Sequence, residues 1–319
     1  MSRSARIAYH GHCFDGMSSA ALATRVLHAL EGAALSCRYS GLEHGPGGSY
    51  VPEAVLDSDV NAVVDFRYCT SPRLHWWFDH HATGLVSDDE RAHFAADASG
   101  RKFFAPSYGS CCKLIADVAE QRFGLVFPEL ASLVSVADEI DAARFPDART
   151  AVELASPALQ LMTVIEAHGD DAFLAPRIAA LAAGESLDAL AAAADVRALF
   201  APLRAAHLQM IDAIAASAQR AGAVVMFDLV GSGRDRFNKF IPYYLHPDAA
   251  YAVAVTAAPQ RAKISVGSNP WLPPGAHDIA AICARYGGGG HRAVGAVSLA
   301  PHEIERARTI AQEIARELA

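Results

Sequence analysis

The chain has 319 residues, a net charge of −8 and 52% hydrophobic residues. That length suggests about two domains with ample core, and the acidic balance argues against broad duplex-DNA binding. The Ala-rich stretch at 179–194 is too short and too interrupted by Glu and Asp to span a bilayer, and the start, Met1-Ser2-Arg3-Ser4-Ala5-Arg6, has no signal-like apolar core, so a cytoplasmic protein away from membranes is expected. The six cysteines, at 13, 37, 69, 111, 112 and 283, form no CxxC pair, and reduced thiols are expected.

In chain order, residues 6–10 read as a strand, and Asp15-Gly16 opens a helix running to about residue 30. Residues 34–39, 61–66 and 74–78 read as further strands. Runs such as Ala62-Val63-Val64 and Trp76-Trp77-Phe78 do not alternate, which suits strands buried on both faces. Helical patterns follow at 107–123 and 129–140. Strand–helix alternation of this kind predicts an α/β fold with an N-terminal parallel, doubly wound sheet.

From about residue 151 the sequence turns Ala- and Leu-rich and helical. Residues 187–221 contain no Gly and, apart from Pro202, no Pro, and read as one long helix kinked near that proline. Strand patterns return at 223–230, 251–256, 263–266 and 294–299, with helices at 277–286 and 302–318. The expected organisation is a first domain over 1–186, a helical connector over 187–220 and a smaller α/β domain over 221–319.

Five places carry chemistry. In Tyr9-His10-Gly11-His12-Cys13-Phe14-Asp15-Gly16, imidazole and carboxylate together suit borderline or hard divalent cations; Asp15 is equally readable as a helix N-cap. Asp65, directly after Ala62-Val63-Val64, is costly to bury unless paired or metal-bound. Asp79-His80-His81 ends the apolar run at Trp76; neighbours on a strand point to opposite sides, so one imidazole is expected on metal and the other elsewhere. In Val136-Ala137-Asp138-Glu139-Ile140-Asp141, Asp138 lies nearest the apolar face, while Glu139 and Asp141 read as a solvated helix end. In Gly287-Gly288-Gly289-Gly290-His291-Arg292, glycines let backbone N–H groups approach an anion and His-Arg adds charge and donors, against the plainer reading of a flexible loop. In an open α/β sheet such groups gather beyond the carboxyl ends of the strands.

With these motifs in this order, the chain resembles the DHH phosphoesterase superfamily, in the branch with a C-terminal DHH-associated domain and its GGGH signature. That branch includes single-strand exonucleases, oligoribonuclease/phosphoadenosine-phosphate phosphatases and cyclic-dinucleotide phosphodiesterases. The resemblance implies His10, Asp15, Asp65, His80 and Asp138 as metal ligands, with Asp65 bridging two ions. It implies Asp79 as the supporting acid, grouped with His81 as catalytic, His81 as a phosphate contact, and Gly289, Gly290, His291 and Arg292 as the phosphate- or nucleotide-binding loop. Many members carry Asp two residues before the final Asp of the first motif; here Cys13 stands there, a candidate thiolate ligand or a small packing residue, with His12 a candidate substitute.

The resulting expectation is a metal-dependent phosphoesterase with two divalent ions about 3.5–4 Å apart, Mn2+ first and Mg2+, Co2+ or Fe2+ as alternatives, using metal-activated water. Its expected substrates are short oligonucleotides or small nucleotides, gripped by the C-terminal domain across an interdomain cleft; a homodimer is compatible with the sequence. The alternatives are an inorganic polyphosphate or pyrophosphate hydrolase, and a non-catalytic nucleotide-binding protein with a weakened metal site.

Overall fold

The computed structural model describes residues 3–43, 50–232 and 236–319. The chain divides into two compact units, Met1–Arg144 with Ala155–Phe200, and Phe145–Leu154 with Ala201–Ala319.

The first unit is built on β1 (Ser4–His10), α1 (Phe14–Glu31), β2 (Ser36–Leu42), β3 (Val60–Val64), β4 (Trp76–Asp79), α2 (Asp88–Ala95), β5 (Lys102–Phe104), α3 (Cys111–Phe123) and α4 (Ala131–Asp141). Helix α5 (Ala148–Glu153) lies in the stretch that belongs to the second unit, and α6 (Pro157–His168), α7 (Asp171–Ala182) and α8 (Leu187–Ala192) belong to the first. Helix α9 (Ala194–Ser217) contains the point where the two units divide.

The sheet of the first unit runs β2-β1-β3-β4-β5, and every pair is parallel. All residues of β3 and β4 are buried, as expected of central parallel strands. Ala8, Val63 and Trp77 face a cluster that includes Leu56, Phe66, Tyr68 and Leu74, with Phe94 of α2 packed against it. Helix α1 packs on β1 and against α3, α4 and α7. The strand order reverses at β1, whose neighbours β2 and β3 leave it on opposite sides. Such a reversal opens a crevice at the carboxyl ends of the strands.

The second unit carries β6 (Gln219–Ala221), β7 (Val224–Asp228), α10 (Ile241–Leu245), β8 (Tyr251–Ala258), β9 (Arg261–Ser268), α11 (Ile279–Ala284), β10 (Gly289–His291), β11 (Val294–Leu299) and α12 (Ile304–Leu318). Its sheet runs β10-β11-β9-β8-β7-β6; only β7 and β8 pair in parallel. Val253, Val255, Ile264, Val266 and Val297 pack with Ile279 and Ile282 of α11 and with Ile310, Ala311 and Ile314 of α12.

The fold is α/β in both units. It departs from the sequence expectation where local signals are weakest. The single helix expected over 187–221 is two helices and a strand. Ala193 takes φ −57° and ψ 141°, which ends α8, and Gln219–Ala221 pairs with β7. An alanine run carries no side chain that announces such a break. Pro202 is accommodated inside α9. All six cysteines are free. Among the described residues no helix is long and apolar enough to cross a membrane.

Candidate metal centre

Four side chains converge at the carboxyl ends of β1, β3 and β4, joined by Asp15 from the first turn of α1 and Asp141 from the end of α4. His10 is the last residue of β1, Asp65 follows β3, and His80 and His81 follow Asp79, the last residue of β4. Asp65 leaves its strand with φ 56°, in the left-handed region that Asp tolerates better than most residues. Its N–H still donates to the Phe78 carbonyl at 3.0 Å, so the turned residue stays pinned to β4.

The ligand-capable atoms form two clusters, His10–Asp65–His81 and Asp15–His80–Asp141, each with its atoms within 4.8 Å of one another. Asp65 stands between them. One carboxylate oxygen lies 3.5 Å from His10 Nδ1 and the other 3.4 Å from His80 Nε2. Both Asp65 oxygens and His80 Nε2 are buried, and among the described residues none has a partner in hydrogen-bond geometry. Leaving such groups unsatisfied costs about 1–3 kcal/mol each, more for charged ones. A cation among them removes that cost, and carboxylate with imidazole is a donor set that fits Mn2+, Fe2+, Co2+ or Zn2+.

His80 is aimed by its other nitrogen. Nδ1 donates to the Tyr108 carbonyl at 3.1 Å, which turns Nε2 toward Asp141 at 3.3 Å and Asp15 at 3.9 Å. An imidazole whose second N–H is held by a carbonyl is a common metal-ligand arrangement. Asp15 does not cap its own helix: Cys13 holds the N-cap position of α1, and Asp15 lies in the first turn. Its carboxylate accepts the N–H groups of Cys111 at 2.7 Å and Cys112 at 3.0 Å, the first amides of α3, where a helix end favours negative charge. Gly16 lets the first turn of α1 lie against the end of β1, since a Cβ there would stand 2.1 Å from the His10 carbonyl oxygen.

Asp79 is fully buried, and its carboxylate accepts the His81 Nδ1–H at 2.8 Å and the His81 backbone N–H at 3.2 Å. Gly84 makes room for it, because a Cβ there would lie 2.1 Å from Asp79 Oδ2. His81 keeps 38% of its side-chain surface exposed.

Charge and burial shift these groups strongly. Burial, then the charges of Asp65 and Asp141, push the Asp15 carboxyl well above its usual range, against the pull of His80. Burial and the Asp65 charge raise Asp141 to about 6. Burial alone would push Asp65 up and His80 down, but their mutual attraction reverses both. Asp65, among three imidazoles, sits well below the usual range, and His80 is raised to about 9. The Asp79 hydrogen bond raises His81. Opposed shifts packed this closely are common at functional sites.

The structure redistributes some of the expected residues. Asp138 lies outside both clusters; its carboxylate pairs with Arg144, and Asp141, read from sequence as a solvated helix end, joins Asp15 and His80. Residues three apart share a helix face, so the spacing alone could not choose between the two acids. His80 and His81 were expected to diverge by strand alternation. The strand ends at Asp79, and the two rings lie 4.5 Å apart. Cys13 lies outside both clusters, and burial with the charges of Asp65 and Asp15 pushes its thiol well above the usual range. His12 turns away: its Nδ1 accepts the Gly169 N–H at 3.2 Å, and Nε2 lies 3.6 Å from Glu43.

The glycine run is part hairpin. Gly289–His291 forms the edge strand β10, paired with β11. A Cβ on Gly288 would stand 2.2 Å from the Ala296 carbonyl oxygen, and one on Gly290 would stand 2.2 Å from that of Val294. His291 and Arg292 are exposed at its tip.

No family model matches the sequence, and no curated protein matches it. Solved structures do. The chain is similar to PggH, a pGpG-specific phosphodiesterase from Vibrio cholerae, with a TM-score of 0.69 at 17% identity over 99% of this chain and 100% of that one. It is also similar to the DHH domain of a protein described as a member of a family of ribosomal proteins, with a TM-score of 0.54 at 13% identity over 98% of this chain and 87% of that one. The chain has the fold of the DHH-domain proteins.

Proposed function

We propose that this protein is a divalent-metal-dependent phosphoesterase acting on short oligonucleotides or small nucleotides. The observation that carries the reading is the convergence of both Asp65 oxygens and His80 Nε2, buried and without a partner in hydrogen-bond geometry among the described residues, between two ligand clusters. His10, Asp65 and His81 would hold one ion, and Asp15, His80 and Asp141 the other, with Mn2+ the first candidate. Bound there, divalent ions supply Lewis-acid polarisation of a phosphoryl oxygen and a water of lowered pKa.

The chain's own groups do the rest. Asp65 keeps its charge and would serve both positions. The Tyr108 carbonyl fixes the His80 tautomer, and Asp79 holds the His81 ring by its Nδ1–H. With its Nδ1–H given to Asp79, His81 would offer its other nitrogen to the ion it shares with His10 and Asp65, and its partly exposed ring would border the substrate. No side-chain nucleophile is needed. In the second unit His291 and Arg292 would bind a phosphate of the substrate, with glycines letting the hairpin close tightly.

The likeness to PggH over the full length of both chains supports a linear dinucleotide such as pGpG as the first substrate to try. The test is a Mn2+-supplemented screen across pGpG, cyclic dinucleotides, phosphoadenosine phosphate and pyrophosphate, with metal content measured in parallel. Turnover of a nucleotide that disappears on chelation and returns with metal supports the reading. Bound metal with hydrolysis of pyrophosphate alone would replace the substrate class, and nucleotide binding without turnover would leave a non-catalytic binder.

A further inference from the structure

Of the five metal ligands that the resemblance implies, Asp138 is the one that lies outside both clusters, and its surroundings give it a different job. It lies on α4, one helical turn before Asp141. One carboxylate oxygen pairs with the Arg144 guanidinium, while the other is buried and has no hydrogen-bond partner among the described residues. The pair presses on the turn before α3. A Cβ on Gly109 would come within 2.6 Å of Asp138 Oδ1 and 2.7 Å of Arg144 Nη2, so the residue after Tyr108 lies against both charged groups.

Tyr108 is the residue whose carbonyl accepts the His80 Nδ1–H. On its other side, the pair closes the reversal at the end of α4. Ala142 N–H donates to the Asp138 carbonyl at 3.3 Å, Arg144 N–H donates to the Glu139 carbonyl at 2.9 Å, and Ala143 takes φ 52° between them. Asp141 opens that reversal. The same ion pair therefore braces the carbonyl that aims His80 and the turn that carries Asp141. His10 and Asp65 hang instead from the ends of β1 and β3, and the His81 ring is held by Asp79.

We propose that Asp138 and Arg144 are positioning residues for the Asp15–His80–Asp141 cluster alone, acting through the Tyr108 carbonyl and the α4 end, and that Asp138 is not itself a ligand. This rests on reading the two clusters as metal sites. A paired brace of this kind sets the affinity of one ion independently of the other. Partners that orient a ligand typically change metal affinity about 10–100-fold when removed.

The test is Mn2+ titration of the full chain, by calorimetry and by electron paramagnetic resonance of free Mn2+. It compares wild type with Arg144→Ala, Arg144→Lys, Gly109→Ala and Asp138→Asn, with thermal melting to check folding. Wild type should show two classes of site. Arg144→Ala and Gly109→Ala should weaken one class about 10–100-fold and leave the other at wild-type affinity. Arg144→Lys should recover part of the loss. Asp138→Asn should match Arg144→Ala. Equal weakening of both classes would make the pair a general structural contact and overturn the proposal. So would unchanged affinities in Arg144→Ala and Gly109→Ala. Loss of a site in Asp138→Asn that Arg144→Ala retains would make Asp138 a ligand and overturn it too. A wild type that takes up no Mn2+ sinks the metal-site reading itself, and the inference with it, a result distinct from all of these.

Discussion

In the first unit, the residues that suggest chemistry are taken out of water; in the second, they are held out into it. Asp15, Asp65 and Asp79 are at most 1% exposed, and each is fixed by backbone amides, an imidazole or a turned backbone. His291 and Arg292 are exposed, and what is tightly packed beside them is the backbone of Gly288 and Gly290. Burying a carboxylate costs several kcal/mol unless something compensates, so a fold keeps such a group only where it has strong partners. A rigid hairpin that displays a cation costs little and gives up little precision. Charge changes in the first unit should therefore alter metal and rate together, whereas charge changes in the second should alter substrate affinity alone.

The largest effect should come from Asp65→Asn. The carboxylate stands between both clusters, and losing its charge should remove several kcal/mol of stabilisation, roughly 10³-fold in turnover. Bound metal should fall while the circular dichroism spectrum stays native. A variant with wild-type turnover would end the assignment of Asp65 to both ions.

His291→Ala is the counterpart in the second unit. Loss of a hydrogen bond to a charged group, about 1.5–3 kcal/mol, should cut kcat/KM roughly 10–150-fold, mostly through KM. Metal stoichiometry should not move. If His291→Ala lost metal instead, the separation of roles between the units would be wrong.

How much of this could be read from the chain follows from the same contrast. Asp65, His10, Asp79 and His80 were legible because each ends an apolar run, and a charged group there has no cheap explanation. Asp141 was not, because Asp138 and Asp141 share one helix face and only the tertiary pairing of Asp138 with Arg144 separates them. Strand β5 is three residues long, too short for any periodicity. Helix α2 did carry a signal: Ser87 and Glu90 form a capping box. The glycine run looked like a loop for an anion, and its tight pairing against β11 shows only in three dimensions, because the partner strand supplies the steric limit.

A smaller effect is expected from pH. In the metal-free protein His80 is raised from 6.5 to about 9, so at neutral pH it holds a proton that a metal must displace. Affinity at the cluster containing His80 should rise with pH, up to about tenfold per unit for one released proton, and level off above about 9. For stability without metal the sign is the reverse. The raised His80 contributes fully below pH 6.5, and that contribution fades as pH rises through about 9. Competitive metal titrations at three pH values, with proton release measured, check the first claim. A pH-independent affinity would mean that His80 does not bind the ion through Nε2.

The smallest effect separates packing from anion binding within the glycine run. Among the described residues Gly289 has nothing within 4 Å of where a Cβ would stand, whereas a Cβ on Gly290 would meet the Val294 carbonyl oxygen at 2.2 Å, with φ 151° besides. Gly290→Ala must therefore push β10 away from β11 and should lower stability by about 1–3 kcal/mol, the usual cost of overpacking. Gly289→Ala should leave the melting temperature within error, since its new methyl enters open space. Activity then discriminates. If the run serves only to let the hairpin close, Gly289→Ala keeps wild-type KM. If a phosphate approaches the backbone there, the added methyl blocks it, and KM rises in a variant whose fold is intact. The second outcome is expected if His291 and Arg292 bind substrate, because an anion held by those side chains lies over the neighbouring glycine. A normal KM in Gly289→Ala together with a raised KM in His291→Ala would move the anion to the side chains alone and leave the glycines a purely structural role.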